Sequence, residues 1–189
     1  VVPVAGPRSS DERPHPSDAP WFTERWRFTA TARSGAPAVD VDLGLRAGLG
    51  DAWFVARLTG PGPRLVTVVD HALAPPAPPG LEIRAPGLWA DHVIEEPRRR
   101  WSLGLEAFGV AVAVGEVSES ALLDPELRGE RVAVGWELEW ENDEDPEWDP
   151  PTPGWRSYSA RCAVHGEVLV GADRFEVDTS GRREHAWGG

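Results

Sequence analysis

A chain of 189 residues, 41% of them hydrophobic, has room for one domain and the apolar content to build its core, which excludes disorder throughout. Its 19 basic residues stand against 31 acidic ones, a formal net charge of -12 that argues against nucleic acid and anionic membrane surfaces as partners. No apolar run approaches the roughly 18 to 20 residues of a spanning helix, residues 1–20 lack the apolar centre of a signal peptide, and the single cysteine has no internal partner for a disulfide, so a soluble cytoplasmic protein without covalent staples is expected.

Residues 1–20 carry Pro3, Pro7, Pro14, Pro16 and Pro20 among Ser, Asp, Arg and Glu, a composition that buries too little surface to offset its ordering. It predicts a flexible arm before a single domain over 21–189. From Trp21 onward the hydrophobic period is two, the mark of strands with one dry and one wet face. The early strands fall at Trp26 to Arg33, Ala38 to Leu49, Ala52 to Thr59 and Arg64 to Leu73. In the second, Val39, Val41, Leu43 and Leu45 oppose Asp40, Asp42 and Arg46. Leu81 to Arg84, Leu88 to Glu95 and Arg99 to Val114 follow. In the last of these the apolar phase flips, from Trp101, Leu103 and Leu105 to Phe108, Val110, Val112 and Val114, which predicts a β-bulge near Ala107 or Gly109. Ser118 to Arg128, interrupted by Pro125, is the best helix candidate. Arg131 to Glu141 alternates most cleanly, with Val132, Val134, Trp136, Leu138 and Trp140 on one face and Arg131, Glu137, Glu139 and Glu141 on the other. Ser157 to Val170 and Asp173 to Asp178 complete the set. Turn signals at Ser34-Gly35, 60–63, 75–80 and 171–173 separate these runs, as in an antiparallel meander. With little helix to cover a sheet, the choices are a sandwich or a closed barrel; the long strands and the bulge favour an all-β, antiparallel barrel of about eight to ten strands.

Ten tryptophans are the first pointer to function, because indoles fill cores or line pockets for apolar, ring-shaped ligands. A pocket drawn from Trp26, Trp53, Trp89, Trp101, Trp136 and Trp140 suits an isoprenoid, a polyketide or another lipid-like molecule and needs no cofactor; packing is the alternative role for most of them. His71, His92, His165 and His185 fall on different strands without any metal-ligand spacing, so no metal site is expected. By parity with Leu65, Val69 and Leu73, His71 is the best interior candidate. Asp91 and Glu95 share a strand face opposite His92 and Glu96. A carboxylate aimed into an apolar barrel would have a raised pKa and could act as a general acid, whereas a solvent-facing ladder reads the same way. Residues 139–149 read as a solvated acidic loop without a calcium-loop pattern. Cys162 reads as a buried, inert thiol. No phosphate loop or dinucleotide fingerprint is present, so no nucleotide cofactor is expected.

The run Gly181-Arg182-Arg183-Glu184-His185-Ala186-Trp187-Gly188 resembles a Gly-x-x-Arg-Asp-His-Ser-Trp-Gly signature. That signature belongs to a lipocalin-like superfamily that includes the carotenoid hydratase hydroxyneurosporene synthase and AttH-type proteins. Residues 87–97 running into 101–108, and residues 158–168, are similar to members of the same group. The resemblance implies a lipocalin-like β-barrel with an apolar interior, packed in most relatives against a second barrel, and places His185 and Trp187 near the barrel mouth. Glu184 stands where the family has Asp and Ala186 where it has Ser. The chain ends where relatives continue into their second barrel. That implies a homodimer replacing the second barrel, a half that binds without catalysing, or an incomplete reading frame.

Three functions follow as expectations. One is a binder of an apolar small molecule, with Trp53, Trp89, Trp101, Trp136, Trp140, Trp187 and His71 lining the pocket. Another is a cofactor-independent lyase or cyclase of the hydratase kind, in which Asp91, Glu95 or Glu184 protonates the substrate and His185 positions or relays the proton. The last is a structural half-barrel completed by a partner. For His185 and Trp187, a structural latch competes equally with a site.

Overall fold

The alternation of Val39, Val41, Leu43 and Leu45 survives intact in strand β2 (Ala38–Arg46), where all four are buried. The computed structural model describes residues 6–33, 35–60 and 62–189. Among the described residues eleven antiparallel strands form one sheet. Besides β2 these are β1 (Thr23–Ala30), β3 (Asp51–Thr59), β4 (Arg64–Leu73), β5 (Ile83–Ala85), β6 (Leu88–Glu96) and β7 (Arg100–Ala113). β8 (Glu130–Glu141), β9 (Glu147–Trp148), β10 (Trp155–Val170) and β11 (Asp173–Gly188) complete it. The order β4-β3-β2-β1-β11-β10-β8-β7 closes on itself because β7 also pairs with β4.

Length makes the closure possible. β7 has 14 residues and serves two neighbours on one side: Val110 to Ala113 pair with Thr67 to Arg64 of β4, and Arg100 to Ala107 pair with β6. β5 extends the sheet beyond β6, and β9 lies against β10. The first and last strands are partners, with Trp26 opposite His185 and Glu24 opposite Trp187. This register sets the ionisable residues of β1 and β11 beside one another at one end of the barrel.

The interior is a single packed cluster that includes Trp26, Phe28, Trp101, Trp136 and Trp140, with Phe28 in ring contact with both Trp101 and Trp140. A buried indole removes about 200 Å² from water, on the order of 5 kcal/mol of gross transfer free energy. Among the described residues no helix is long and apolar enough to cross a membrane.

Two expectations are corrected. β7 has no bulge at Ala107 or Gly109: its pairing with β8 runs without a register shift from Arg100 to Ala111, and the odd-numbered residues from Trp101 to Ala111 are all buried. Size misled the reading, because the inner face beside β4 admits only small residues there. A Cβ on Gly109 would sit 2.9 Å from Val66, while Phe108 and Val114 face out and are exposed. Register shifts fall instead at Ala52/Phe54 between β3 and β4, and at Ile94/Glu96 between β6 and β7. The helix candidate reduces to a 3-10 turn at Ala121–Leu123. The arm, as far as it is described, lies on the barrel: a 3-10 turn at Ser9–Glu12 buries Glu12 completely. Composition measures what a segment buries by itself, and this one buries its surface against another part of the chain. Val1 to Ala5 lie outside the described residues.

Candidate functional site

The inner face of β11 carries Thr179, Arg183, His185 and Trp187, all buried, so polar groups enter the barrel on the same parity that elsewhere delivers apolar ones. A buried guanidinium demands a counter-charge and acceptors. Arg183 Nη1 donates to Glu12 Oε1 at 2.7 Å, and its Nε and Nη2 donate to Asn142 Oδ1 at 3.2 and 3.1 Å. Glu12 Oε1 also accepts from Trp101 Nε1 at 3.3 Å, and Oε2 accepts from the Arg98 backbone N–H. Asn142 Nδ2 donates to the Arg98 carbonyl at 2.8 Å. Arg98 itself has φ 69°, a left-handed conformation uncommon for a side chain of its size, and these two bonds hold its turn. The arm is thus tied to β7, β11 and the turn before β7 by one carboxylate.

Next to this cluster lies a second. Glu24, on the inner face of β1, is buried, and its Oε1 accepts from His15 Nδ1 and His185 Nε2, each at 2.7 Å. Its Oε2 accepts from the His15 backbone N–H at 2.8 Å. Burial opposes ionisation of Glu24, but hydrogen bonds from the two imidazoles outweigh it and hold the carboxyl below its usual range. For His185, burial wins over the attraction of Glu24 and pushes its pKa down, so the ring is neutral at pH 7. A neutral ring that donates through Nε2 must accept at Nδ1, and the Tyr158 hydroxyl lies there at 3.3 Å. Burial raises the Tyr158 pKa well above the usual tyrosine value, with the charge of Glu12 adding to it, so this hydroxyl keeps its proton to donate. Indoles clamp both imidazoles: Trp26 stacks on His185 at 4.5 Å between centroids, and Trp187 on His15 at 4.2 Å.

His15 and Glu24 also border a cleft of about 670 Å³ between the arm and the loop that follows β4. Pro14, Pro16, Leu45, Ala47, Pro75, Pro76 and Pro78 supply its apolar wall. Rigid prolines shape such a wall at little entropic cost, and a few polar groups in an apolar concavity are the usual make-up of a small-molecule site.

Of the residues singled out from sequence, His185 and Trp187 belong to this barrel-end constellation, and the others do not join it. Trp101, Trp136 and Trp140 are packed into the core instead of lining a pocket; Trp140 Nε1 donates to the Thr29 carbonyl at 3.1 Å. Trp53 and Trp89 lie half-buried on the outer face, each flat over a glycine: a Cβ on Gly44 would fall 1.8 Å from Trp53, and one on Gly104 would fall 2.8 Å from Trp89. Strand parity puts them outside, and the missing side chains opposite them explain how they are partly covered there. His71 is exposed, with Nε2 2.7 Å from the Leu123 carbonyl. Its parity inference fails because the register shift opposite Ala52/Phe54 changes which β4 residues face in: Val66 and Val68 before it, Leu73 after it. Asp91, Glu95 and Glu184 are on the outer face as well. Burial and the nearby Glu82 charge raise the Asp91 pKa, Glu95 accepts from Ser102 at 2.7 Å, and Glu184 pairs with Arg182 at 2.7 Å. None of the three reaches His185. Cys162 is buried, and burial pushes its thiol up to about 11.

A family model described as a domain of unknown function, DUF7064, matches residues 8–189. The chain belongs to the DUF7064 family. No curated protein and no solved structure matches it. The span matched to DUF7064 takes in Glu12 and His15, the two arm residues that reach the barrel end. Sequence reasoning on this DUF7064 chain missed Glu12, His15, Glu24 and Arg183. For two of them a signal existed: Glu24 has the parity of Trp26, Phe28 and Ala30, and Arg183 that of His185 and Trp187. Nothing local marks Glu12 or His15, whose partners are 171 and 9 residues away in the chain.

Proposed function

We propose that this DUF7064 domain is a lipocalin-like protein that binds an apolar small molecule of the isoprenoid or polyketide kind in the cleft at the barrel end. The site moves from the expected barrel interior, where the tryptophans pack against one another, to the mouth between the arm and the 75–80 loop. The observation that carries the reading is the apolar cleft of about 670 Å³ with a carboxylate and an imidazole on its border, the size and make-up of a drug-sized ligand site. The Gly181 to Gly188 run supports kinship with the hydroxyneurosporene synthase superfamily, and its His185 and Trp187 stand beside Glu24 and His15 on the border of that cleft. Farnesol and retinol serve as probes, read by native mass spectrometry and by quenching of tryptophan fluorescence. Saturable binding of one molecule per chain is expected, abolished by Ala47→Trp, which fills the cleft from an exposed position. Equal binding by that variant refutes the placement, and no binding of either probe refutes the ligand class.

A second reading, cofactor-independent hydration or cyclisation of the same ligands, is favoured by the ionised Glu24 and the imidazole of His15 side by side at the cleft. It predicts deuterium incorporation from heavy water into a bound alkene, lost in Glu24→Gln while the dissociation constant of the substrate is kept. Incorporation that persists in Glu24→Gln refutes it.

A further inference from the structure

We propose that His15, Glu24 and His185 form a binding site for a divalent first-row transition ion such as Zn²⁺. The inference does not rest on the small-molecule reading, because it needs no organic ligand. Three atoms of ligand type, His15 Nδ1, a Glu24 carboxylate oxygen and His185 Nε2, lie within 4.8 Å of one another, and two of the three residues are buried. Two imidazoles and one carboxylate are a donor set for Zn²⁺ or its neighbours; magnesium and calcium prefer oxygen alone. Three protein donors leave a four-coordinate ion one further position. His15 and Glu24 border the cleft, so an ion reaches the site from there.

The surroundings are those of a prepared site. Glu24 Oε2 is held by the His15 backbone N–H at 2.8 Å, which leaves Oε1 aimed between the two rings. Indole stacking fixes both ring planes. Tyr158 Oη lies 3.3 Å from the ring nitrogen of His185 that would not touch the ion, the place where metal-bound histidines carry an orienting partner. In the metal-free protein the two ring N–H groups point at Glu24 Oε1, each at 2.7 Å. An ion about 2.0–2.1 Å from every donor spaces neighbouring donors about 3.3 Å apart in a tetrahedron, so each contact opens by about 0.6 Å on loading. The proton balance closes within the rings. The proton on Nε2 of His185 moves to Nδ1, where the Tyr158 oxygen turns from donor to acceptor, and the proton on Nδ1 of His15 moves to Nε2, beside the cleft. A hydroxyl serves both tautomers, which a carbonyl or an amide nitrogen at that place would not.

The experiment uses the full chain after chelator treatment, without any lipid. Co²⁺ is titrated with visible absorption as the readout, Zn²⁺ with calorimetry. One ion per chain is expected, with affinity lowered at least about tenfold to a hundredfold in His15→Ala and in Glu24→Gln, since losing an outer partner alone costs about that much. Tyr158→Phe is expected to weaken the ion without changing stoichiometry. Because His15→Ala loosens the arm, a second measurement uses the unmodified protein. Among the five histidines, Zn²⁺ should perturb the ring nitrogen resonances of His15 and His185 and leave His71, His92 and His165 unmoved. Absence of saturable binding, unchanged affinity in both variants, or perturbation centred on His71 or His165 overturns the proposal.

Discussion

Glu12→Ala tests whether the arm is part of the fold. Both side chains of the Glu12–Arg183 pair are almost wholly out of water, at 0% and 3% exposure, and they meet at 2.7 Å. Truncation removes the negative charge, an acceptor for the Trp101 indole and the acceptor of the Arg98 amide, and leaves the Arg183 guanidinium, still bonded to Asn142, without its counter-ion. Breaking one side of a buried pair costs about 3–5 kcal/mol, because the remaining charge is stranded. Against a total of about 5–15 kcal/mol for an ordinary domain this is about a fifth or more. At about 2–4 °C per kcal/mol for a chain of this size, the melting temperature falls by about 6–20 °C. The assay is urea unfolding followed by tryptophan fluorescence at low and high salt. The loss is expected to be nearly independent of salt, since a buried pair is poorly screened. Replacing both charges, Glu12→Leu with Arg183→Met, should recover most of it. A cost below about 1 kcal/mol, the value of an exposed pair, would mean that the arm is not docked and that the reasoning fails.

His92 is fully buried between Phe28 and Phe54, both ring nitrogens lack partners among the described residues, and burial lowers its pKa from 6.5 to about 3. The folded state refuses a proton that the unfolded chain binds below pH 6.5, so stability falls with acid from 6.5 toward about 3; from pH 7 to pH 5 this one group removes about 2 kcal/mol. His92→Leu should therefore gain about 2 kcal/mol more at pH 5 than at pH 7, and equal gains at both would count against a neutral buried ring. Trp136 and Trp140 share a strand face, but only Trp140 makes an indole hydrogen bond while Trp136 Nε1 has no partner among the described residues. Urea denaturation of Trp140→Phe should show a loss about 1 kcal/mol larger than that of Trp136→Phe. Gly181→Ala places a Cβ 2.1 Å from the Thr29 carbonyl and 2.6 Å from Val164, and should cost about 3 kcal/mol or more in the same assay.

Period-two alternation is a property of each strand alone, so the all-β class, the dry faces of β2 and β8 and the outward acidic ladder of Glu137, Glu139 and Glu141 were legible from residues a few positions apart. The C-terminal run likewise pointed to His185 and Trp187, which do sit in the barrel-end constellation. Parity failed wherever a register shift intervened, as at His71, and size failed where a neighbouring strand admitted only small side chains, as along Ala107, Gly109 and Ala111. Both are facts about pairing partners and not about the strand that is read.

Composition and alternation by themselves determined that this chain folds as antiparallel strands with an apolar inner face, because burying alternate side chains is a local requirement. Tertiary structure alone decided that β11 lies beside β1, that a proline-rich arm supplies the counter-ion of Arg183, and that His15 and His185 share one carboxylate. The physical reason is that a buried charge selects its partner by position in space. The carboxylates of Glu12 and Glu24 lie within 2.7 Å of Arg183 and His185 only after the ring of strands has closed and the arm has been laid across its end.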